Sequence, residues 1–204
     1  MRHDIPIIVL AAGQSSRMGG VDKLLEQVDG MPLILRQVRL ARRSSDAEVI
    51  VALPPAPHAR HDVLADEPVM RVEVAEATEG INASLRTAIG AVPDRAEAVM
   101  VVLADLPDLT EGDIKSVLDA VDITSKTLIW RGATQDGKPG HPVVFRKALF
   151  PAIAALRGDG GAKELMALAG SEVALIALPD GRARADLDTP EDWAIWRRQN
   201  PRRA

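Results

Sequence analysis

The stretch Ile5-Pro-Ile-Ile-Val-Leu-Ala-Ala-Gly-Gln-Ser-Ser-Arg-Met-Gly-Gly-Val-Asp-Lys-Leu-Leu25 limits the possible folds more than any other part of the chain. Ile7 to Leu10 is an unbroken β-branched and aliphatic run, the pattern of a strand buried on both faces. It passes directly into Ala11-Ala12-Gly13, where small residues allow a ligand close to the backbone. Gly19 and Gly20 add a second flexible point, with Arg17 and Lys23 around the turn. Free backbone N–H groups and two cations at the carboxyl end of a buried strand make a phosphate site in physical terms. The spacing matches neither G-x-G-x-x-G nor G-x-x-x-x-G-K-[ST], so the residues alone leave an ordinary turn equally open.

Composition suits a sheet-centred α/β fold. The 204 residues include two Phe, three Trp and no Tyr, so the core must come from Val, Ile, Leu and Ala. That length favours one domain, 1–204, with a basic tail from about 197. The absence of cysteine excludes disulfides, thiolate metal sites and Cys nucleophiles. A net charge of −4 argues against a nucleic-acid-coating protein. No apolar run approaches the roughly 18 residues of a membrane span. Together with the lack of a signal-peptide pattern, this gives the expectation of a cytoplasmic protein with no membrane partner.

Strands are expected at 47–53, 69–75, 98–103, 127–131, 140–145 and 173–178. Helices are expected at 31–41 with Pro32 in the first turn, at 57–66 as a weaker signal, after Asn82 and Ser84 as caps, and at 111–121. Alternating strands and helices at this spacing imply right-handed βαβ units and a mostly parallel sheet with helices on both faces. Asp105 follows the strongest strand, Ala98-Val-Met-Val-Val-Leu103, at the place where ligands of open α/β sheets bind. Asp108 and Thr110 compete for the following helix cap, which frees Asp105 from that duty. Residues 132–140 read as a polar, glycine-rich mobile loop over the site. Near the end, Thr189 can cap a helix begun by Pro190, with Glu191 and Asp192 at its positive end. Asp186 and Asp188 then have no local explanation.

Leu10 to Leu25 resembles the signature loop of the MobA-like nucleotidyltransferases, L-A-[AG]-G-x-[SG]-x-R-M-G followed by K and an apolar pair, over sixteen consecutive positions. The resemblance extends to about Trp193. It implies a Rossmann-like sheet of the nucleotide-diphospho-sugar transferase type. It also implies a loop (Leu10, Ala11, Ala12, Gly13, Ser15, Ser16, Arg17, Met18, Gly19) wrapped around an NTP triphosphate that Arg17 and Lys23 neutralise. Gly80, Ser84 and Leu85 match the family's G-x-x-x-S-L segment on the base and ribose side. Ala104-Asp105-Leu106-Pro107 is similar to [GA]-D-[MQL]-P, which makes Asp105 a ligand of catalytic Mg²⁺, with Mn²⁺ as an alternative. In the wider superfamily an acid near the chain's end is the second ligand, and Asp188 fits it better than Asp186.

Gly140-His-Pro-Val-Val-Phe145 and Gly158-Asp-Gly-Gly-Ala-Lys163 resemble the family's acceptor-side segments, which nominates His141, Gly160 and Lys163. The implied reaction is transfer from an NTP to a molybdopterin-type cofactor with release of pyrophosphate. A molybdoenzyme or its chaperone would receive the product. Ala11-Ala12-Gly13 resembles the cytidylyltransferase branch and implies CTP, whereas Gly19-Gly20-Val21-Asp22-Lys23 is closer to the guanylyltransferase branch. A same-fold enzyme acting on a sugar or alcohol phosphate and a non-catalytic delivery module stay open as alternatives.

Overall fold

The structure is a computed structural model that describes residues 4–158 and 161–203. Its centre is β1 (Ile7–Leu10), four aliphatic residues that are all buried. β1 pairs in parallel with β4 (Val49–Leu53) on one side and β6 (Ala98–Leu103) on the other. A small antiparallel pair, β2 (Gln27–Val28) with β3 (Met31–Pro32), separates β1 from helix α1 (Leu33–Ser44). β5 (Met70–Glu73) adds a parallel edge beyond β4. On the far side β8 (Pro139–Arg146) runs antiparallel to β6 and to β7 (Ile129–Ala133), and β9 (Val173–Ala177) is parallel to β7. The seven-stranded order is thus β5-β4-β1-β6-β8-β7-β9.

Period-two alternation sends each strand's side chains to two cores. Ile7, Val9, Val51, Met100 and Val144 face α1, α4 (Glu111–Asp119) and α7 (Pro190–Gln199). Ile8, Leu10, Val101, Val143 and Phe145 face α3 (Ile81–Ile89), α5 (Phe150–Ala154) and α6 (Gly161–Ala169). Between β4 and β5 the chain has only the five-residue α2 (Ala59–Val63). Helices therefore cover both faces, and the expected sheet architecture is observed.

Four local expectations change. Pro32 stands at the N-cap of α1, just outside the helix, where its lack of an N–H costs nothing. Gly80 occupies the N-cap of α3, and Asn82 and Ser84 lie inside the helix, buried, with no capping hydrogen bond. Residues 132–140 are not a loop over the site. Gly132 and Ala133 belong to β7, Pro139 and Gly140 to β8, and the turn between them closes when the Thr134 N–H donates to the Lys138 carbonyl. Gly132 and Gly140 are sheet residues pressed against neighbouring backbone, which their hydrophilic context disguised, and Gly137 supplies the turn with φ 80°.

The tail is the fourth. It begins inside α7, and two of its four cations, Arg197 and Arg203, are paired, while Arg198 and Arg202 are exposed. Arg203 donates to Asp29 at 2.9 Å and Asp108 at 2.8 Å, and stacks over Trp196. Arg197 pairs with Glu26 and lies over Trp193. Thr110 and Thr189 each form the reciprocal capping box, with Asp113 and Asp192.

A Cβ at Gly140 would collide with the Ala183 backbone carbonyl. Gly140→Ala should therefore lower unfolding stability by about 1–3 kcal/mol, read from the denaturation midpoint at unchanged m-value.

Candidate active site

The carboxyl ends of β1 and β6 open into a cavity of about 340 Å³. Its wall takes in residues 10–13 and 15–17, Lys23, Gly80, Ser84, Asp105 and Asp188, so segments from both ends of the chain meet there. Two members of the expected loop stay out. Met18 is buried beneath the loop as an apolar anchor, and Gly19 supplies a left-handed turn (φ 61°). Ser15 (φ 52°) and Gly20 (φ 96°) have positive φ too, the backbone conformation from which anion-binding nests are built. A Cβ at Gly13 would meet nothing within 4 Å, so that side of the loop has room for a ligand.

Lys23 is the electrostatic hub. Its Nζ lies 2.5 Å from Asp105 Oδ2 and 2.7 Å from Asp188 Oδ1, and Arg17 reaches the other Asp188 oxygen at 2.7 Å. The ammonium thus faces the carboxylates of Asp105 and Asp188. Two half-buried acids draw the nearest cation, because an uncompensated charge there is costly. Burial alone would push the Lys23 ammonium down, yet the two carboxylates hold it above the ordinary lysine value. Burial likewise disfavours ionised Asp188, but Lys23 and Arg17 keep it below the usual carboxylate range. Asp186 moves the opposite way, pushed up by burial and then by the charges of Asp105 and Asp188.

Three carboxylates against two cations leave an acidic excess at the mouth of the sheet. Asp105 Oδ1 is buried with no hydrogen-bond partner among the described residues. An orphaned carboxylate oxygen beside further acids is the donor chemistry of a hard divalent cation, so Asp105 and Asp188 fit such an ion. Among the described residues no group of three or more acids and histidines is already arranged around a single point.

Sequence reasoning missed what holds the loop in shape. Arg60, on α2, is 1% exposed. Its guanidinium donates to both Asp22 oxygens at 2.7 and 2.6 Å, to the Ala11 carbonyl at 2.6 Å and to Ser15 Oγ at 3.4 Å. Asp22 in turn accepts the Leu24 N–H at 3.0 Å, capping the short turn that begins with Lys23. One side chain thus fixes the loop where it leaves β1 and where it delivers Lys23. The only sequence signal was Asp22 beside Lys23, since α2 is too short to show a periodic pattern.

His141 lies outside the main cavity, in a recess next to it, with Nδ1 buried and unpartnered. Gly160 falls outside the described residues, and Lys163 belongs to the first turn of α6, where side chains are not described.

A mostly parallel sheet, a left-handed loop and cations interleaved with acids define the nucleotidyltransferase class of the nucleotide-diphospho-sugar transferase fold. Residues 7–174 match the MobA-like NTP transferase domain, and the chain belongs to that family. A probable molybdenum cofactor guanylyltransferase of Synechococcus elongatus is 28% identical over 190 residues, covering 91% of this chain and 94% of the relative. The bifunctional protein GlmU of Leifsonia xyli is 34% identical over 129 residues, 58% of this chain, but the match spans only 25% of GlmU. The crystal structure of Rv0371c from Mycobacterium tuberculosis aligns with a TM-score of 0.81 at 29% identity, covering 96% of this chain and 97% of that one. Its manganese complex aligns at 0.77 with 27% identity, covering 94% and 97%.

Arg60→Leu should leave the half-buried Asp22 without its partner and cost about 3–5 kcal/mol in chemical denaturation, and adding Asp22→Leu should restore much of it. A pH effect follows from His141, whose imidazole burial, and secondly Arg131's charge, hold at about 4 against 6.5 for the free side chain. Between those values the unfolded chain binds the extra proton and the folded chain does not. Stability should therefore fall on acidification from pH 6.5 towards 4, by up to about 1.4 kcal/mol per pH unit. His141→Asn should flatten that slope in unfolding titrations.

Proposed function

We propose that the chain transfers CMP from CTP to the phosphate of a molybdopterin-type cofactor, releasing pyrophosphate. The observation that carries this reading is Lys23 Nζ held between Asp105 and Asp188 at the mouth of the nest-like loop. An acceptor phosphate oxygen attacks the α-phosphorus, the bond from that phosphorus to the bridging oxygen breaks, and pyrophosphate leaves with the electron pair. Attack of one anion on another makes the barrier largely electrostatic, so aligned cations do most of the work. The acceptor phosphate is already ionised near neutrality, so no protein nucleophile is required.

In this reading the loop N–H groups and Arg17 receive the triphosphate, and Gly80 and Ser84 face the nucleoside. Lys23 exchanges its carboxylate partners for phosphate oxygens as the nucleotide enters. Asp105 and Asp188 are then free to hold Mg²⁺, or Mn²⁺ as in the mycobacterial complex. The ion, when bound, neutralises phosphate charge and polarises phosphorus. Asp186, hydrogen-bonded to Asp188, orients it.

A second reading, GTP as donor, is favoured by the Synechococcus relative, a probable molybdenum cofactor guanylyltransferase, and by the G-G-x-D-K spacing that places Asp22 against Arg60. Ala12, in place of a glycine, favours the smaller pyrimidine. A cytoplasmic setting and hand-over to a molybdoenzyme or its chaperone complete the proposal. Among the described residues no helix is long and apolar enough to cross a membrane.

Offering CTP, GTP, ATP and UTP with purified molybdopterin cofactor and following pyrophosphate should give release with CTP above all, and release with none would overturn the reading. Asp105→Ala should cut turnover by about 10²-fold or more while the thermal midpoint stays close to wild type. Lys23→Ala should chiefly raise the KM for nucleotide.

A further inference from the structure

Beside the main cavity, and sharing Leu10 and Ile81 with it, lies a smaller recess of about 90 Å³ between the sheet and helices α3 and α6. Its walls are mostly aliphatic and aromatic, with Val101, Val143 and Phe145 as the sheet floor. Three polar side chains interrupt them: Asn82, Arg131 and His141. The Asn82 amide donates to the Gly158 carbonyl and is already engaged.

Arg131 and His141 are not fully engaged. Arg131 pairs with Val143 across β7 and β8, and His141 lies in the irregular stretch of β8 where the register slips, yet both residues line the recess. The Arg131 Nε and one amino group both donate to the Gly140 carbonyl, at 3.2 and 3.0 Å. Among the described residues the other amino group meets only Met166 Sδ at 3.5 Å, a weak acceptor. No carboxylate compensates this half-buried guanidinium among the described residues, and the charge that acts on it is that of another cation, Arg184. That is unusual, because a buried cation is normally paired.

His141 is held neutral by burial, and the Val101 carbonyl stands as a partner for one ring N–H. Nδ1 is buried with no partner. With the proton on the nitrogen facing Val101, Nδ1 presents a lone pair. A guanidinium nitrogen with only a sulfur partner and an unpartnered imidazole nitrogen therefore belong to residues that line one mostly apolar recess beside the main cavity.

We propose that this recess is a lactam-reading subsite, in which Arg131 donates to a ring carbonyl and His141 Nδ1 accepts the adjacent ring N–H of a flat oxo-heterocycle. The proposal deepens the transferase reading and rests on it: the heterocycle is the pterin head of the acceptor. The recess is smaller than the engineered ~150 Å³ cavity that accommodates benzene. It therefore takes the lactam edge and leaves the rest of the ring system, with its phosphate arm, in the main cleft. Arg131 and His141 act here as specificity residues, remote from the reacting phosphorus.

The same edge occurs on guanine, so the test separates the two sources. Binding of 6-hydroxymethylpterin to the full chain is followed by its fluorescence, against 2,4-diamino-6-hydroxymethylpteridine, whose edge has donor and acceptor reversed. The pterin should bind at least about tenfold more tightly, because the reversed edge leaves buried groups unpaired. Arg131→Gln and His141→Phe should each erase that preference, and Arg131→Lys, which keeps the charge but not the fork, should erase most of it. Saturating CTP·Mg and GTP·Mg should leave pterin binding in place.

Equal affinity for the two pteridines in the wild-type protein, a comparison that no misfolded variant can confuse, would overturn the proposal. So would displacement of the pterin by GTP but not CTP, which would give the recess to the nucleotide base. If nucleotide binds and pyrophosphate is released while the pteridines are not distinguished, the subsite fails and the transferase reading stands. If the pterin is distinguished but no NTP binds, the transferase reading fails.

Discussion

A single buried guanidinium sets the geometry on which the site depends. Arg60 touches the loop's exit from β1 and its return before Lys23. Burying a charge is expensive unless its donors are used, and Arg60 spends them on a bidentate carboxylate and a backbone carbonyl. The result is a loop whose left-handed residues need not find their conformation when ligand arrives. Order established before binding removes an entropy cost that a floppy loop would incur with each substrate molecule.

The same economy of charge governs the rest of the mouth. Lys23 and Arg17 pair with Asp105 and Asp188 in place. A polyanion with its counter-ion can exchange partners with them one for one, leaving no bare charge in a low-dielectric cleft. Neither half of that exchange is favourable alone, since a bare polyanion would strand the carboxylates and a bare cation would strand the lysine. Coupled entry of the two suits a reaction in which the donor should arrive already charge-balanced.

Much of this was legible in the chain. β1 and β6 were evident because aliphatic runs of four and six residues have no other home, and the final helix cap because Thr189, Pro190 and Asp192 each fit one position. The gathering of Lys23, Asp105 and Asp188 could be anticipated once two strand ends pointed to one crevice. Arg60 could not, since its partner is 38 residues away and its helix is one turn long. Gly132 and Gly140 looked like loop residues because glycine carries no pattern, and only the neighbouring backbone gives a reason for it there. Arg203 looked solvated because the acids that receive it, Asp29 and Asp108, lie far back in the sequence.

The sheet order has a consequence for how the molecule assembles. β5, β4, β1 and β6 join through parallel units drawn from the first half of the chain, whereas β9 has no strand to join until β7 is seated, and β7 reaches the sheet only through β8. The donor side can therefore form during synthesis while the far side waits for its connecting hairpin, with the apolar rim of β6 exposed in the meantime. A lesion in that hairpin would strand every strand beyond it at once, so the second half of the sheet is gained or lost as a unit.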